Sequence, residues 1–387
     1  MDPQKRETPR LSRRRLLGGS AAALGLAGAG AAVALSAAAD DLASPAYQYW
    51  RHQEKGALRD LEYLAMCATL APSPHNTQPW RFHLQGERIV VQADLARHLG
   101  EADAGHRMMQ VGLGCAIENL EVAAARLGYR CRIDLGEADA RFHRDGHCAT
   151  VTLERGPVEQ RPTFDAIFRR QTTRTGFDAG VDVAPALLQR LQQASAGLPG
   201  VRLQWLRPTA TGDAVGDAVR RAAREYLTDA RHRAGMRWFR ITRRDWERHG
   251  DGIAVFNSDA PALAKRYVEL FVDEREVMGP AFRDAEVASV DRLCGATPLW
   301  GVVVAAGSSP AQRLMAGRMA ERVYLEATAH HHAVQPMCYA TETPNGVAAL
   351  RRLAGVPDGM EPVFLFRLGR SGLVSRSVRR PLREVIA

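Results

Sequence analysis

The chain lacks the signatures of several common site types. Its six cysteines, Cys67, Cys115, Cys131, Cys148, Cys294 and Cys338, form no C-x-x-C pair. Their spacing follows no metal-ligand pattern, so no metal site is expected. No Gly-rich nucleotide loop is present, so nothing independently supports NAD binding. No stripe of Lys and Arg interleaved with aromatics occurs, which removes nucleic acid as a partner. Cys67 and Cys115 fall in apolar helical runs and are expected as buried thiols, while an oxidising compartment would allow others to pair.

What is present begins with a basic start at Lys5, Arg6, Arg10 and Arg13 to Arg15. An Ala/Gly-rich apolar run follows from Leu16 to Leu35, then Ser36-Ala-Ala-Ala-Asp40 with small residues suited to cleavage. That order is the plan of a secretory signal. Ser12-Arg13-Arg14-Arg15-Leu16-Leu17 contains the twin arginine of Tat substrates. Residues 1–39 are therefore read as a Tat signal cleaved near Ala38 or Ala39, with a periplasmic destination and the Tat translocase as a partner during export. The apolar run is short and weakly apolar for a spanning helix; an uncleaved anchor in the inner membrane is the alternative. The Tat route exports folded proteins, often with a cofactor already loaded. Residues 1–39 hold six basic and two acidic residues, so the remainder falls from a net +9 to a net +5. That is a mildly basic surface, not a nucleic-acid footprint. The full sequence is 46% apolar, and the length left after residue 39 can bury the core of one large or two fused domains.

The periodicity predicts helices over 58–70, 108–127, 185–194, much of 211–247 and 312–333. The stripe Leu113, Ile117, Leu120, Ala124 and Leu127 marks the second of these, with Gly128 as its C-cap. Strands are predicted over 80–84, 130–135, 147–153, 201–206, 298–307 and 363–368. Gly156 to Pro162 is the best boundary. A faint repeat links Leu120-Glu-Val-Ala-Ala124 with Leu325-Glu-Ala-Thr-Ala329, each late in a long helix, as a duplicated two-layer unit would show.

The most informative stretch is Ala71-Pro-Ser-Pro-His-Asn-Thr-Gln-Pro-Trp80. Its prolines remove donors, fix φ and push each preceding residue out of the helical region, so it is expected as a stiff, extended loop. It presents Ser73, His75, Asn76, Thr77 and Gln78, a set suited to a flat ligand with polar edges. The plainer alternative is a proline-rich connector whose polar groups satisfy their own backbone.

Pro72-Ser-Pro-His-Asn-Thr-Gln-Pro-Trp80 closely resembles the P-S-x-x-N-x-Q-P-W loop of the nitroreductase family of flavoproteins, in which the loop lies against FMN. Phe168-Arg-Arg-Gln-Thr-Thr-Arg-Thr-Gly-Phe177 resembles the family's R-x-S-x-R/K-x-F phosphate motif, with Thr for Ser and one extra residue before the phenylalanine. The tail Ser377-Val-Arg-Arg-Pro-Leu-Arg-Glu-Val385 resembles the family's C-terminal phosphate-contacting segment, with Arg379 in the matching place; a merely solvated basic tail is the alternative there. Pro336-Met-Cys-Tyr339 stands where the family presents backbone N–H groups near flavin N5.

The resemblance implies an α+β, nitroreductase-like fold of two fused halves, each with a mainly antiparallel sheet flanked by helices. The halves would cover 40–155 and 160–387, a pseudo-dimer within one chain with one composite FMN site. It implies FMN binding by Ser73, His75, Asn76, Gln78, Arg170, Thr172, Arg174, Met337, Cys338 and Arg379. Arginine's forked donors suit the phosphate at Arg170. A cation at Arg174 would favour the reduced flavin's N1–C2=O edge, and His75 is the one candidate proton donor. The triple His330-His331-His332 is not read as a metal site, because adjacent helical positions do not face one ligand. Residues 258–296, with the apolar face Tyr267, Leu270 and Phe271, are expected either as a lid over the flavin or as an ordinary helix packed on the core. The function implied is two-electron hydride transfer to a small electron-poor acceptor, of the quinone or nitroaromatic class, from an unidentified donor. The alternative is a protein that sequesters or stores FMN with little turnover.

Overall fold

The computed structural model describes residues 44–178, 180–258, 260–372 and 376–387; the expected Tat signal lies outside them. Among the described residues eight strands form two antiparallel sheets. The first has the order β1-β2-β4-β3, with β1 Trp80–Gln85, β2 Arg88–Ala93, β3 Tyr129–Asp134 and β4 His147–Arg155. The second has the order β5-β6-β8-β7, with β5 Val201–Leu206, β6 Leu299–Ala306, β7 Ala333–Pro336 and β8 Met360–Gly369. The sheets therefore repeat one strand order. The helices repeat too, because a long helix joins the second and third strands of each set, Arg107–Arg126 and Pro310–Ala329. A shorter one joins the third and fourth, Ala138–Asp145 and Pro344–Leu353. The α+β class and the two helix-flanked antiparallel sheets agree with the sequence reading.

The repeat is broken at one place. β1 and β2 are joined by Gly86 and Glu87 alone, and Gly86 turns at φ +54, which only glycine adopts without strain. Between β5 and β6 the chain instead runs through 207–298 and six helices, Ala214–Tyr226, Asp229–Met236, Arg243–His249, Ala262–Phe271, Glu274–Val277 and Pro280–Gly295. Residues 258–296 are the latter part of that excursion. Helix Ala262–Phe271 has no buried residue, and Leu263, Tyr267, Leu270 and Phe271 stand exposed on it, whereas helix Pro280–Gly295 of the same segment packs Val290, Leu293 and Cys294 into a core cluster. Among the described residues no helix is long and apolar enough to cross a membrane.

The core lies where the two long helices cross. Cβ atoms added at Gly114 and Gly317 would stand 2.1 Å from Leu314 O and 2.0 Å from Val111 O respectively, so the helices touch backbone to backbone. Beyond that contact, Glu118 accepts from Arg318 Nε (2.9 Å) and Arg322 Nε (2.6 Å) across the pair. Both LEVAA-like segments lie on these helices. The second ends at Ala329 rather than continuing to 333. His331 takes the left-handed conformation (φ +58), and Ala333–Pro336 pairs with β8. No Gly or Pro announces that stop, and the three histidines form the turn. Cys67, Cys115, Cys148 and Cys294 are buried, and all six cysteines are free thiols.

The excursion is tied to the second sheet by Asp213. Its carboxylate caps helix Ala214–Tyr226 by accepting Gly216 N–H (2.9 Å) and takes both its oxygens to the buried Trp300 Nε1–H at 3.0 Å. Asp213→Ala is expected to cost about 2 kcal/mol, from a lost cap and an orphaned indole donor. The shift should appear in the denaturation midpoint without a change in slope.

Candidate functional site

The loop 71–79 does not run extended as the prolines suggest. Proline constrains the residue before it, and Ser73 is indeed extended (φ −145, ψ 156). Beyond Pro74 the chain is free to turn, and His75, Asn76 and Gln78 all take left-handed φ of 48°, 54° and 50°. For His and Gln this conformation is strained and must be held by surroundings. Ser73 Oγ accepts Gln78 N–H at 2.9 Å, and Asn76 O accepts Gly252 N–H at 3.2 Å. Gln78 Nε2 donates to Gly250 O (2.7 Å), and its Oε1 accepts Arg380 N–H (3.0 Å). Gln78 is fully buried, so its amide fixes the loop to the excursion and the tail rather than reaching a ring edge. The loop rests on the first long helix at Gly112, where an added Cβ would come within 3.2 Å of Ser73 Cα.

Ser73, Asn76, Arg170, Thr172, Arg174 and Arg379 line one cleft that is partly open to solvent. Three distant stretches of sequence meet there, joined by Trp50, Pro72, Gln171 and Ser377. The arginine segment is pinned by Thr173 N–H donating to Val334 O (3.3 Å) in β7. Arg170 is buried, donates Nη2 to Leu70 O (2.9 Å) and lies 5.2 Å over the Tyr324 ring. Thr172 Oγ1 stands 3.4 Å from both Arg170 Nη1 and Tyr324 Oη. Arg379 donates to Asn76 Oδ1 (3.0 Å), Val378 O (2.9 Å), Leu70 O (3.1 Å) and Ala71 O (3.3 Å). Arg174 differs from both, since it makes no hydrogen bond or ion pair among the described residues. Burial pulls the Arg174 guanidinium below its ordinary value, Tyr324 and Tyr339 push it back up, and Arg170 adds repulsion. Burial also pulls Arg379 down, with Arg170 acting the same way and Glu321 opposing.

The other expected residues lie outside the cleft lining. His75 is half-buried and packs against Gly235, where an added Cβ would be 3.1 Å from its Nε2. Burial pushes its imidazole down to about 4, against a pull from Glu286, while Arg174 and His232 add to the fall. A ring with that value is neutral at pH 7 and carries no imidazolium proton to give, which removes the expected acid role. Met337 is buried in a second apolar cluster, and its N–H is taken by Leu365 O at 2.8 Å, so it is not an open donor. Burial pushes the Cys338 thiol up to about 12, and the group contacts Leu365 O at 3.4 Å.

Three neighbours were not marked by the sequence reading. Trp50 lies ahead of the first predicted helix; its ring stacks 4.6 Å from the Arg379 guanidinium and its Nε1–H donates to Ser377 O (2.9 Å). The aromatic run Tyr47, Tyr49, Trp50 was the available signal. Glu321 and Tyr324 sit mid-helix beneath Arg170. The excursion brings Glu286 and His232 to act on His75, and Tyr339, just after β7, joins them. Tyr339 Oη donates to Glu286 Oε1 (2.9 Å), and His232 Nδ1 lies 3.5 Å from Glu286 Oε2.

No family model matches the chain. Two curated proteins of Mycobacterium tuberculosis, from strains CDC 1551 / Oshkosh and H37Rv, each named "Putative NAD(P)H nitroreductase", are 29% identical over 171 residues. The match takes in 42% of this chain and 45% of either relative, so the chain spans less than half their length in the match. Among solved structures, a "putative nitroreductase" of Anabaena variabilis ATCC 29413 is similar over 74% of this chain and 69% of its own, at 11% identity and a TM-score of 0.43. An NADPH:FMN oxidoreductase of Vibrio harveyi, complexed with NAD+, is similar over 59% of this chain and 76% of its own, at 13% identity and a TM-score of 0.35.

Proposed function

We propose that the chain is an FMN-dependent oxidoreductase of the nitroreductase type. The observation that carries the reading is the gathering of Arg170, Arg174 and Arg379 with Ser73, Asn76 and Thr172 in one cleft. Three guanidinium groups in one partly buried cleft suit a ligand with a strongly anionic end. Among the described residues Arg174 makes no hydrogen bond or ion pair, and the Nε atoms of Arg170 and Arg379 make no hydrogen bond, although Arg170 Nε faces Glu321 at 3.5 Å. The partial likeness to NAD(P)H nitroreductases supports the same class.

FMN, when bound, supplies two-electron hydride transfer at its N5 to an electron-poor acceptor such as a quinone or nitroaromatic. The chain's part is binding, orientation and charge. Arg170 and Arg379 give a fixed positive field for the phosphate, Arg174 offers open donors, and Thr172 a hydroxyl. Asn76 and Ser73 form a wall held rigid by the tail and the excursion. Glu286, Tyr339 and His232 stand on the neighbouring side with His75, where polar groups orient an acceptor. We further read the two sheets of equal strand order as a fused pair. We place the chain in the periplasm by way of its twin-arginine start, and we take 258–296 as a lid.

The test is the visible spectrum of the purified chain, alone and with added FMN, then with NADH and NADPH under anaerobic conditions. Flavin bands that bleach with a nicotinamide are the expected result. Bands that bleach only with dithionite would favour storage or another donor. A chain that carries no flavin and takes up none would end the reading.

A further inference from the structure

The two buried arginines of the cleft share one buried carboxylate that binding and orientation do not use. Glu321, midway along helix Pro310–Ala329, is fully buried. Its Oε1 lies 3.5 Å from Arg170 Nε. Asn119, with its amide turned to match its neighbours, donates to that oxygen at 2.9 Å and accepts Ala71 N–H at 3.2 Å. Oε2 has no hydrogen-bond donor among the described residues. Several elements bring charged or titratable groups to it. They are Arg170 from the arginine segment, Arg379 from the tail, Glu118 and Cys115 from the first long helix, and Tyr324 from its own helix. Glu118 is already engaged by Arg318 and Arg322. Burial pushes the Glu321 carboxyl up to about 7, with Arg170 opposing, Glu118 adding and Arg379 opposing.

We propose that Glu321 is the internal counterion of Arg170 and Arg379, and that a phosphate group entering the cleft takes over as their partner while Glu321 takes up a proton. The proposal rests on the flavin reading and deepens it. Without a ligand the carboxylate balances buried guanidinium charge that would otherwise stand uncompensated. A phosphate monoester brings nearly two negative charges to the same groups. The added like charge disfavours ionised Glu321, and the oxygen that now lacks a donor accepts a proton from solvent. Only that O–H bond forms, and no electron is transferred.

The sign follows from linkage. The ligand raises the affinity of Glu321 for protons, so above about 7 the bound state holds more protons than the free state. Phosphate affinity therefore falls as pH rises there, by at most about tenfold per pH unit for one proton. Below that region Glu321 is protonated in both states. The titration that remains is the phosphate's own second ionisation near about 6, which acts in the opposite direction. Affinity for FMN then passes through a maximum near neutrality.

The experiment titrates the full chain with FMN and with riboflavin, which lacks the phosphate, from about pH 6 to about pH 9 at constant ionic strength. Calorimetry in two buffers of different ionisation heat counts protons. The expected result is an FMN Kd that rises about tenfold or more between about pH 7 and about pH 9, with proton uptake and no matching rise for riboflavin. Glu321→Gln should flatten the FMN curve and bind more tightly at the alkaline end. An FMN affinity that is flat over that range overturns the proposal alone, as does a fall shared equally by riboflavin or retained in Glu321→Gln. FMN that binds at no pH rejects the flavin reading, and the proposal with it. Should Glu321→Gln not fold, the FMN and riboflavin comparison on the unaltered chain still decides.

Discussion

Gly317→Val is expected to leave no soluble, folded chain. An added Cβ there would stand 2.0 Å from Val111 O and 2.8 Å from its carbonyl carbon. Both are backbone atoms inside a helix, so neither can rotate away. The same contact seen from the other side puts a Cβ at Gly114 2.9 Å from Gly317 Cα. Relief requires the two helices to separate, and that would break the Cys115 Sγ contact to Gly317 O (3.2 Å) and loosen the Glu118 bridges to Arg318 and Arg322. The first sheet and one face of the second pack about this helix pair in the larger of the two core clusters, so most of the core feels the change. The expected loss exceeds about 4 kcal/mol, a large share of a domain's whole stability. Gly317→Ala adds the same Cβ without branches and should survive only with a much lower Tm. Gly372→Val, where an added Cβ meets nothing within 4 Å, is the control and should melt normally. A Gly317→Val chain with an unchanged melting curve would show that the helices do not touch.

That contact was hidden in the sequence because a helical glycine ordinarily signals weakness, and nothing local distinguishes a glycine kept for close approach. Glu321 was hidden for a related reason. A glutamate within a long helix is taken as solvated unless its partners are known, and Arg170 and Arg379 lie far away in the chain. The cleft was more legible. Its residues come from a dense run of prolines and polar side chains and from an arginine segment, patterns that packing alone does not require. Even so, the role of Gln78 was not visible, since its partners Gly250 and Arg380 are 172 and 302 residues away. The strand pattern was legible where burial alternates, as in β4. It was missed for β2, although burial alternates there, and for β7, which has four residues directly after a long helix and takes its place from pairing with β8. The excursion between β5 and β6 was seen only in its latter part, because amphipathic helices such as Ala214–Tyr226 resemble ordinary core helices until the strand that follows is placed.

The second large effect separates two arginines that line the same cleft. Arg379→Ala is expected to cost about 3–5 kcal/mol by removing a buried charged group from its network, and to weaken FMN binding as well. Its guanidinium joins Leu70 O and Ala71 O to Asn76 Oδ1 and Val378 O. Those groups are buried, and each loses a donor when the side chain goes. The left-handed conformation of Asn76 then has less to hold it. Arg174→Ala should behave differently. Its charge is disfavoured by burial and has no hydrogen-bond partner among the described residues, so the Tm should stay level or rise slightly. FMN affinity should nonetheless fall about 10- to 100-fold, the worth of one charge-assisted contact. Melting curves and FMN titrations of both variants decide the matter. A loss of Tm in Arg174→Ala as large as in Arg379→Ala would mean that Arg174 is structural. An unchanged FMN affinity in Arg174→Ala would mean that its open donors do not face the ligand. The expected split follows from the geometry. One arginine is engaged through both its Nη atoms and holds the loop in its strained shape, and the other is left open for what enters the cleft, so stability and binding can be lost independently.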